Sequence, residues 1–315
     1  MAEKNEDAGL FQALKSMAGV KVKSNEPLAR HTSMKIGGPA DYFIEVESEP
    51  ALSAVLPVLR RDNVPISFLG NGSNVLVSDL GIRGAVMHLA GDFKKTEWSD
   101  KGKAVEVEAG AAVAVTQLVR DAVRRGTEGL EFAEGIPGTV GGALIMNAGA
   151  YGSEFERIVV AVDAISADGA PMHFTRGEMT FSYRDSHMPA GAVVTRVRLR
   201  LGKAEAGPVS ARLRELTVKR KSSQPSGYPN SGSMFRNPPG DFAGRLIEAA
   251  GLKGRRIGQA QISERHANFF VNLGGARAGD VHALMELARK EVKRQFGVEL
   301  VAEVRLLGEW PSTKD

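Results

Sequence analysis

Between positions 135 and 149 the chain carries five glycines: Gly135, Gly138, Gly141, Gly142 and Gly149. A stretch so poor in side chains cannot build a core. It brings bare backbone close to something else or turns through left-handed conformations. Ile136, Pro137, Thr139 and Asn147 are set among the glycines, and Pro137 stiffens the loop by fixing its own φ. No Gly-Lys-Ser/Thr follows, so the segment is not a P-loop.

A second cluster, Gly70-Asn71-Gly72-Ser73-Asn74, falls between two predicted strands. Two glycines two apart can turn successive N–H groups inward as an anion nest, and Ser73 and Asn74 add donors. The third glycine of a Rossmann fingerprint is missing, and the sequence predicts that a strand follows rather than a helix. Read alone, the cluster is also consistent with an ordinary Gly/Asn loop. Two nests near strand ends together point to an extended ligand with a diphosphate, and FAD held without a Rossmann fold fits.

Composition narrows the alternatives. The absence of cysteine excludes disulfides, thiolate catalysis, iron–sulfur clusters and Cys-ligated zinc. The six histidines form no H-x-H or H-x-x-x-H pair, so no metal site is expected. With 41 basic and 37 acidic residues the net charge is +4, too mild to demand a nucleic-acid partner yet suited to an anionic small ligand. No apolar run reaches the roughly 18 residues of a membrane helix. The polar opening MAEKNEDAGL lacks a secretory pattern, so a cytoplasmic protein with no membrane partner is expected; a monomer is expected as well, although the sequence itself does not reveal the oligomeric state.

The pattern of elements is mixed. Residues 42–47 read as a strand, and Ser48 caps a helix with Leu52, Val55, Leu56 and Leu59 on one face. Strands are predicted at 64–69, in VLVSD and GAVMHL, and at 104–108, with a helix at 115–125. Asp168-Gly169 marks a hairpin between 158–166 and 170–175, and 193–201 alternates apolar residues with Arg196, Arg198 and Arg200, one solvated face. Beyond a helix at 208–221 comes SSQPSGYPNSGS, the densest turn-forming stretch. Helices at 243–250 and 279–296 and strands at 258–264, 268–273 and 299–307 complete the chain. The expected division is an FAD-binding domain over 1–218, with lobes at about 30–90 and 91–218, a substrate domain over 219–300, and a C-terminal strand and tail over 301–315.

The blocks RHTSMKIGGPADYF (30–43), LGNGSNVLVSD (69–79), EGIPGTVGGALIMNAGAYG (134–152), SYRDS (182–186), GSMFRNP (232–238), AGRLIEAAGLKG (243–254), SERHANFFVN (263–272) and AEVRLLG (302–308) occur in this order. In sequence and order they resemble the UDP-N-acetylenolpyruvoylglucosamine reductase family, over nearly the whole of 30–308. The resemblance implies an α+β fold: a two-lobed FAD-binding domain of the vanillyl-alcohol-oxidase/cresol-methylhydroxylase type plus a smaller α/β substrate-binding domain. It implies a cytoplasmic flavoprotein of peptidoglycan synthesis, reducing the enolpyruvyl group of a UDP-sugar to a lactyl ether, with FAD as hydride carrier and NADPH as reductant. The stretch before Lys221 is short and holds no tyrosine, so the chain resembles the branch lacking an inserted tyrosine loop.

Motif by motif, the resemblance implies Ser233 as proton donor, Arg184 as the cation that meets the developing carboxylate charge, and Glu303 as the third catalytic group. Glu303 is expected within an apolar strand, where a buried carboxylate needs a partner. Lys221 and Asn237 are implied as substrate contacts, with Arg236 and Tyr228 beside the same turn as further candidates. His266 is expected to order a turn. The competing readings are another FAD-dependent oxidase or dehydrogenase on the same domain, a basic nucleic-acid-binding protein and a purely structural protein. Low aromatic content and well-mixed charge argue against nucleic acid.

Overall fold

The computed structural model of the chain describes residues 2–310. Its elements run α1 (Ala2–Lys15), β1 (Val20–Pro27), β2 (Pro39–Val46), α2 (Glu49–Arg61), β3 (Ile66–Phe68), β4 (Val75–Val77), β5 (Ile82–Leu89), β6 (Thr96–Asp100) and β7 (Ala104–Gly110). Next come α3 (Val115–Arg124), β8 (Thr127–Glu128), α4 (Val140–Ile145), β9 (Gly149–Ala150), β10 (Ser153–Glu154), β11 (Val159–Ile165), β12 (Pro171–Thr175) and β13 (Val193–Lys203). The chain closes with α5 (Ala206–Ser223), β14 (Asn230–Ser233), α6 (Ala243–Ala249), β15 (Arg256–Ile257), β16 (Ala260–Ile262), β17 (Phe269–Asn272), α7 (Ala278–Phe296) and β18 (Arg305–Leu307). No described helix is long and apolar enough to cross a membrane.

The chain divides into two compact units. One comprises residues up to 24, 42–70 and 85–218; the other comprises 25–41, 71–84 and everything from 219 on. This differs from the expected contiguous domains. The reason is a long-range pairing: β4 pairs in parallel with β18, with Val75 opposite Arg305, so an early strand belongs with the C-terminal segment. Residues 301–310 therefore join the second unit rather than standing apart, and 311–315 lie outside the described residues.

In the first unit α2 follows its sequence signals closely. Ser48 Oγ accepts the Ala51 N–H, Pro50 stands in the first turn, and Leu52, Val55, Leu56 and Leu59 are buried against Ile44, Val46, Ala85 and Met87. The sheet they cover has the order β1–β2–β5–β3. Helix α1, unexpected from a sequence with few apolar positions, adds Leu14 to this core. The larger sheet runs β12–β11–β13–β7–β6 with β8 on the end of β13, antiparallel throughout. Its Arg196, Arg198 and Arg200 are more than a solvated row. They ladder onto Glu108 and Glu106 of β7, opposite-charge pairs across neighbouring strands.

The second unit has an antiparallel sheet of order β14–β17–β16–β15. Phe270, Ile262, Leu246, Ile247, Val281, Leu284, Met285 and Val292 fill its core together with Met34, Ile36 and Leu76. Asp79 supplies both carboxylate oxygens to the N-terminus of α7, accepting from Ala278 and Gly279 N–H at 2.9 and 3.0 Å. The last strand is shorter than the expected 299–307, because residues before Arg305 meet the chain only at an isolated Phe235–Ala302 bridge.

Candidate functional site

In the first unit the glycine-rich run forms a loop that enters α4. That helix was hidden from the sequence by its own Gly141 and Gly142, residues that disfavour helix. Thr139 caps it, its Oγ1 accepting the Gly142 N–H at 3.3 Å. Gly141 is buried, and a Cβ there would sit 2.9 Å from Ala111 Cβ. Glycine at this position is required by packing. Gly70 lies against the same loop: a Cβ on it would stand 2.8 Å from Thr139 Oγ1. The two glycine clusters thus meet at Gly70 and Thr139.

Gly72 is fixed by the second unit. It has φ +59°, and a Cβ would come within 2.3 Å of the His31 carbonyl, while its own carbonyl accepts from Ser33 N–H and Oγ. Gly135 and Gly138 also take positive φ. Among the described residues, the N–H groups of Gly70, Asn71, Gly72, Gly135 and Gly138 donate to no protein acceptor. Unpaired backbone donors on bare glycines are what an anionic diphosphate requires, so Gly70, Gly135 and Gly138 of the first unit fit the diphosphate of FAD. Ser73, Asn74, Ile136 and Pro137 lie within the same loops. Asn74 also tethers a distant segment, its Nδ2 donating to the Glu303 carbonyl at 3.2 Å.

Asn147 departs from expectation. It is fully buried at φ +37°, with Nδ2 donating to Glu154, Glu156 and the Ser182 carbonyl and Oδ1 accepting the Glu156 N–H. Its side-chain amide is spent within the protein, which gives it a framework role. Gly149 is likewise a hairpin residue, since a Cβ would strike the Ser153 carbonyl at 2.4 Å. What Asn147 holds is the turn that presents Arg184. Ser182 and Asp185 exchange backbone hydrogen bonds across that turn, with Arg184 left-handed at φ +62°. Its guanidinium lies 4.8 Å from the Tyr183 ring and donates to the Gly149 carbonyl at 3.4 Å. Asn147, Tyr151, Arg184 and His187 are four non-glycine residues at positive φ in these connected loops. Such clustered strain marks functional sites.

The second unit carries the other two candidate catalytic groups. Ser233 ends β14 directly after Gly232, which has φ +73°. Among the described residues its hydroxyl has no hydrogen-bond partner. The next residue, Met234, accepts the Glu303 N–H at 2.9 Å, so the main chain brings Ser233 and Glu303 onto adjoining segments. Glu303 is half-buried and precedes β18, which corrects the expectation of a buried strand carboxylate. Lys221 is exposed in the last turn of α5. Among the described residues, the buried Nε of Arg236 has no partner, a donor awaiting an acceptor. Asn237 Oδ1 accepts the Ala243 N–H at 3.1 Å and so starts α6. Tyr228 is exposed.

His266 is half-buried, edge-on to Phe269 with ring centroids 4.9 Å apart; desolvation holds its imidazole below the ordinary value of 6.5. Its Nδ1 accepts the Asn268 N–H at 3.2 Å, a turn-ordering contact. From the sequence, the role of its neighbour Asn268 stayed open. The available signal was a lone amide between the apolar pairs of HANFFV.

The chain matches two family models: an FAD binding domain over residues 40–175, and the C-terminal domain of UDP-N-acetylenolpyruvoylglucosamine reductase over 224–307. A UDP-N-acetylenolpyruvoylglucosamine reductase of Symbiobacterium thermophilum is 46% identical over 92% of this chain and 94% of its own length. The reductase of Myxococcus xanthus is 43% identical over 98% of this chain and all of its own. Among solved structures, the reductase of Thermus caldophilus superposes with TM-score 0.79 at 39% identity, covering 91% of this chain and 99% of that one. A different flavin oxidase is disfavoured by the matched C-terminal region, and the α+β class with an FAD-binding domain and a smaller second domain stands. An FAD-containing oxidoreductase, the chain belongs to the UDP-N-acetylenolpyruvoylglucosamine reductase family.

Proposed function

We propose that this chain reduces the enolpyruvyl group of UDP-N-acetylglucosamine enolpyruvate to the lactyl ether of UDP-N-acetylmuramate, in the cytoplasm, with NADPH as reductant. Bound FAD supplies the hydride relay between reductant and substrate. The residues around it act separately. Hydride addition to the terminal carbon builds negative charge on the adjacent carbon and its carboxylate. Arg184 meets that charge with a guanidinium that stays protonated and can grip a carboxylate with two donors. Ser233 then delivers a proton to the carbon. A serine hydroxyl is a weak acid and serves only a strongly basic centre, provided that it is oriented and not already engaged. The observation that carries this reading is the unpartnered Ser233 hydroxyl, on a segment hydrogen-bonded to that of Glu303. Glu303 polarises the carboxylate or the proton donor.

Lys221 is the proposed cation for the substrate diphosphate, exposed at the end of its helix. The orphaned Arg236 Nε and the Asn237 amide are donors for the same ligand, with Tyr228 beside them. The test separates two half-reactions under anaerobic conditions. NADPH is added in an amount sufficient to bleach the bound flavin, followed by the enolpyruvyl sugar. The yellow colour should return without oxygen. Ser233→Ala should bleach normally and recover about 10²–10⁴-fold more slowly. Arg184→Ala and Glu303→Gln should also impair mainly recovery. Bleaching without recovery in the unaltered enzyme would leave the flavin assignment and remove the substrate.

A further inference from the structure

We infer that Asn268 is the positioning residue of the proton-donor strand, holding Ser233 and Glu303 in mutual register through its side-chain amide. This rests on the proton-donor role proposed above. β14 and β17 pair from Asn230 opposite Val271 to Ser233 opposite Phe269, with an irregularity between. Between these pairs two β14 residues, Ser231 and Gly232, face one on β17, Phe270, and Gly232 at φ +73° takes up the extra one. Past Ser233 the ladder loses its partner. β17 begins at Phe269, and before it the chain turns, with the Phe269 N–H bonded to the His266 carbonyl at 2.9 Å.

Asn268 fills the gap twice over. Its backbone carbonyl accepts the Met234 N–H at 2.8 Å. Its side chain stands in for the missing peptide unit, with Oδ1 accepting the Phe235 N–H at 3.0 Å and Nδ2 donating to the Phe235 carbonyl at 2.8 Å. On the opposite edge the same segment is bound by Glu303 N–H to the Met234 carbonyl and by Arg236 N–H to the Val301 carbonyl, each at 2.9 Å. The segment 234–236 is therefore gripped from both sides, by Asn268 and by the stretch carrying Glu303. Asn268 is 2% exposed and its side-chain amide is spent on the Phe235 peptide groups, so its influence passes through the backbone.

A planar group carrying one donor and one acceptor side by side is needed here. Asparagine has it; ionised aspartate accepts but cannot donate, and leucine does neither. Buried peptide groups left unpaired would pull the strand toward other partners or water. A displacement of the order of an ångström at a reacting group costs about 10²-fold in rate.

The test compares the FAD-loaded enzyme with Asn268→Asp and Asn268→Leu. In either variant that retains the flavin spectrum and a cooperative melt, reduction by NADPH should be unchanged. Re-oxidation by UDP-N-acetylglucosamine enolpyruvate should slow about 10²-fold, with the substrate concentration at half-saturation moving less than about threefold. Independently of turnover, amide hydrogen exchange at Phe235 should quicken by about tenfold or more, while the core of α7 stays protected. Re-oxidation at the normal rate, or equal slowing of both half-reactions, overturns the inference. Loss of the flavin in both variants also overturns it, because Asn268 would then be a general stability residue. Should the unaltered enzyme itself fail to re-oxidise with this sugar, the proposed reaction is what has failed, and the inference falls with it.

Discussion

A single glycine can be required for two unrelated reasons, and Gly72 has both: φ +59° and a carbonyl 2.3 Å from where a Cβ would lie. Gly72→Ala should therefore destabilise the fold by about 2 kcal/mol or more and weaken FAD retention, read by thermal melting and by flavin titration of the apoprotein. The sequence marked the glycines but could not sort them. Gly72 and Gly138 free backbone donors; Gly141 admits Ala111, and Gly149 makes a hairpin. That sorting depends on neighbours distant in the chain. Asn147 shows the same limit, since an amide inside a glycine run is equally suited to a ligand or to the two carboxylates and one carbonyl that it bonds here. His266 supports a pH prediction. Desolvation by its surroundings is the main cause of its lowered basicity. The unfolded chain takes up a proton as pH falls through 6.5 while the folded chain resists. Stability is thus complete above 6.5 and declines as pH drops toward the folded value. Melting temperatures measured between about pH 7.5 and 5.5 should fall less steeply in His266→Gln than in the parent.

Elements with strong periodicity were readable, and short ones built by partners were not. α2 follows its capping residue and apolar face, α7 follows its apolar face, and the Asp168-Gly169 hairpin lies where its turn chemistry placed it. α4 was invisible because its propensity is poor and its stability is tertiary. β18 was drawn too long because 299–304 carries strand-like residues without a continuous neighbour. The capping of α7 illustrates what sequence windows miss: Asp79 lies 200 residues from the Gly279 N–H that it accepts. Asp79→Ala should cost about 1–2 kcal/mol of stability, with Asp79→Asn retaining most of it. Chemical denaturation would register this, and an unchanged midpoint would mean that solvent replaces the cap.

At the scale of the whole molecule, the ordered blocks disclosed the family and the change of composition near 219 disclosed a break. The interleaving of the units was not legible, because nothing local announces that VLV at 75–77 will pair with RLL at 305–307. The core of the second unit draws Met34, Ile36 and Leu76 from its early segments. A fragment comprising 219–315 should consequently fail to melt cooperatively. A sharp thermal transition from that fragment would show that the early segments are dispensable.

This interleaving also sets a timetable for synthesis. As the chain leaves the ribosome, residues 25–41 and 71–84 emerge early, yet their partners are among the last to be translated. Met34, Ile36 and Leu76 must wait, apolar and uncovered, while the long intervening stretch from 85 to 218 is made and begins to close a core of its own. Overproduction at high temperature should accordingly strand nascent chains at this stage, making the enzyme dependent on chaperones for its yield in a way that its finished stability would not foretell.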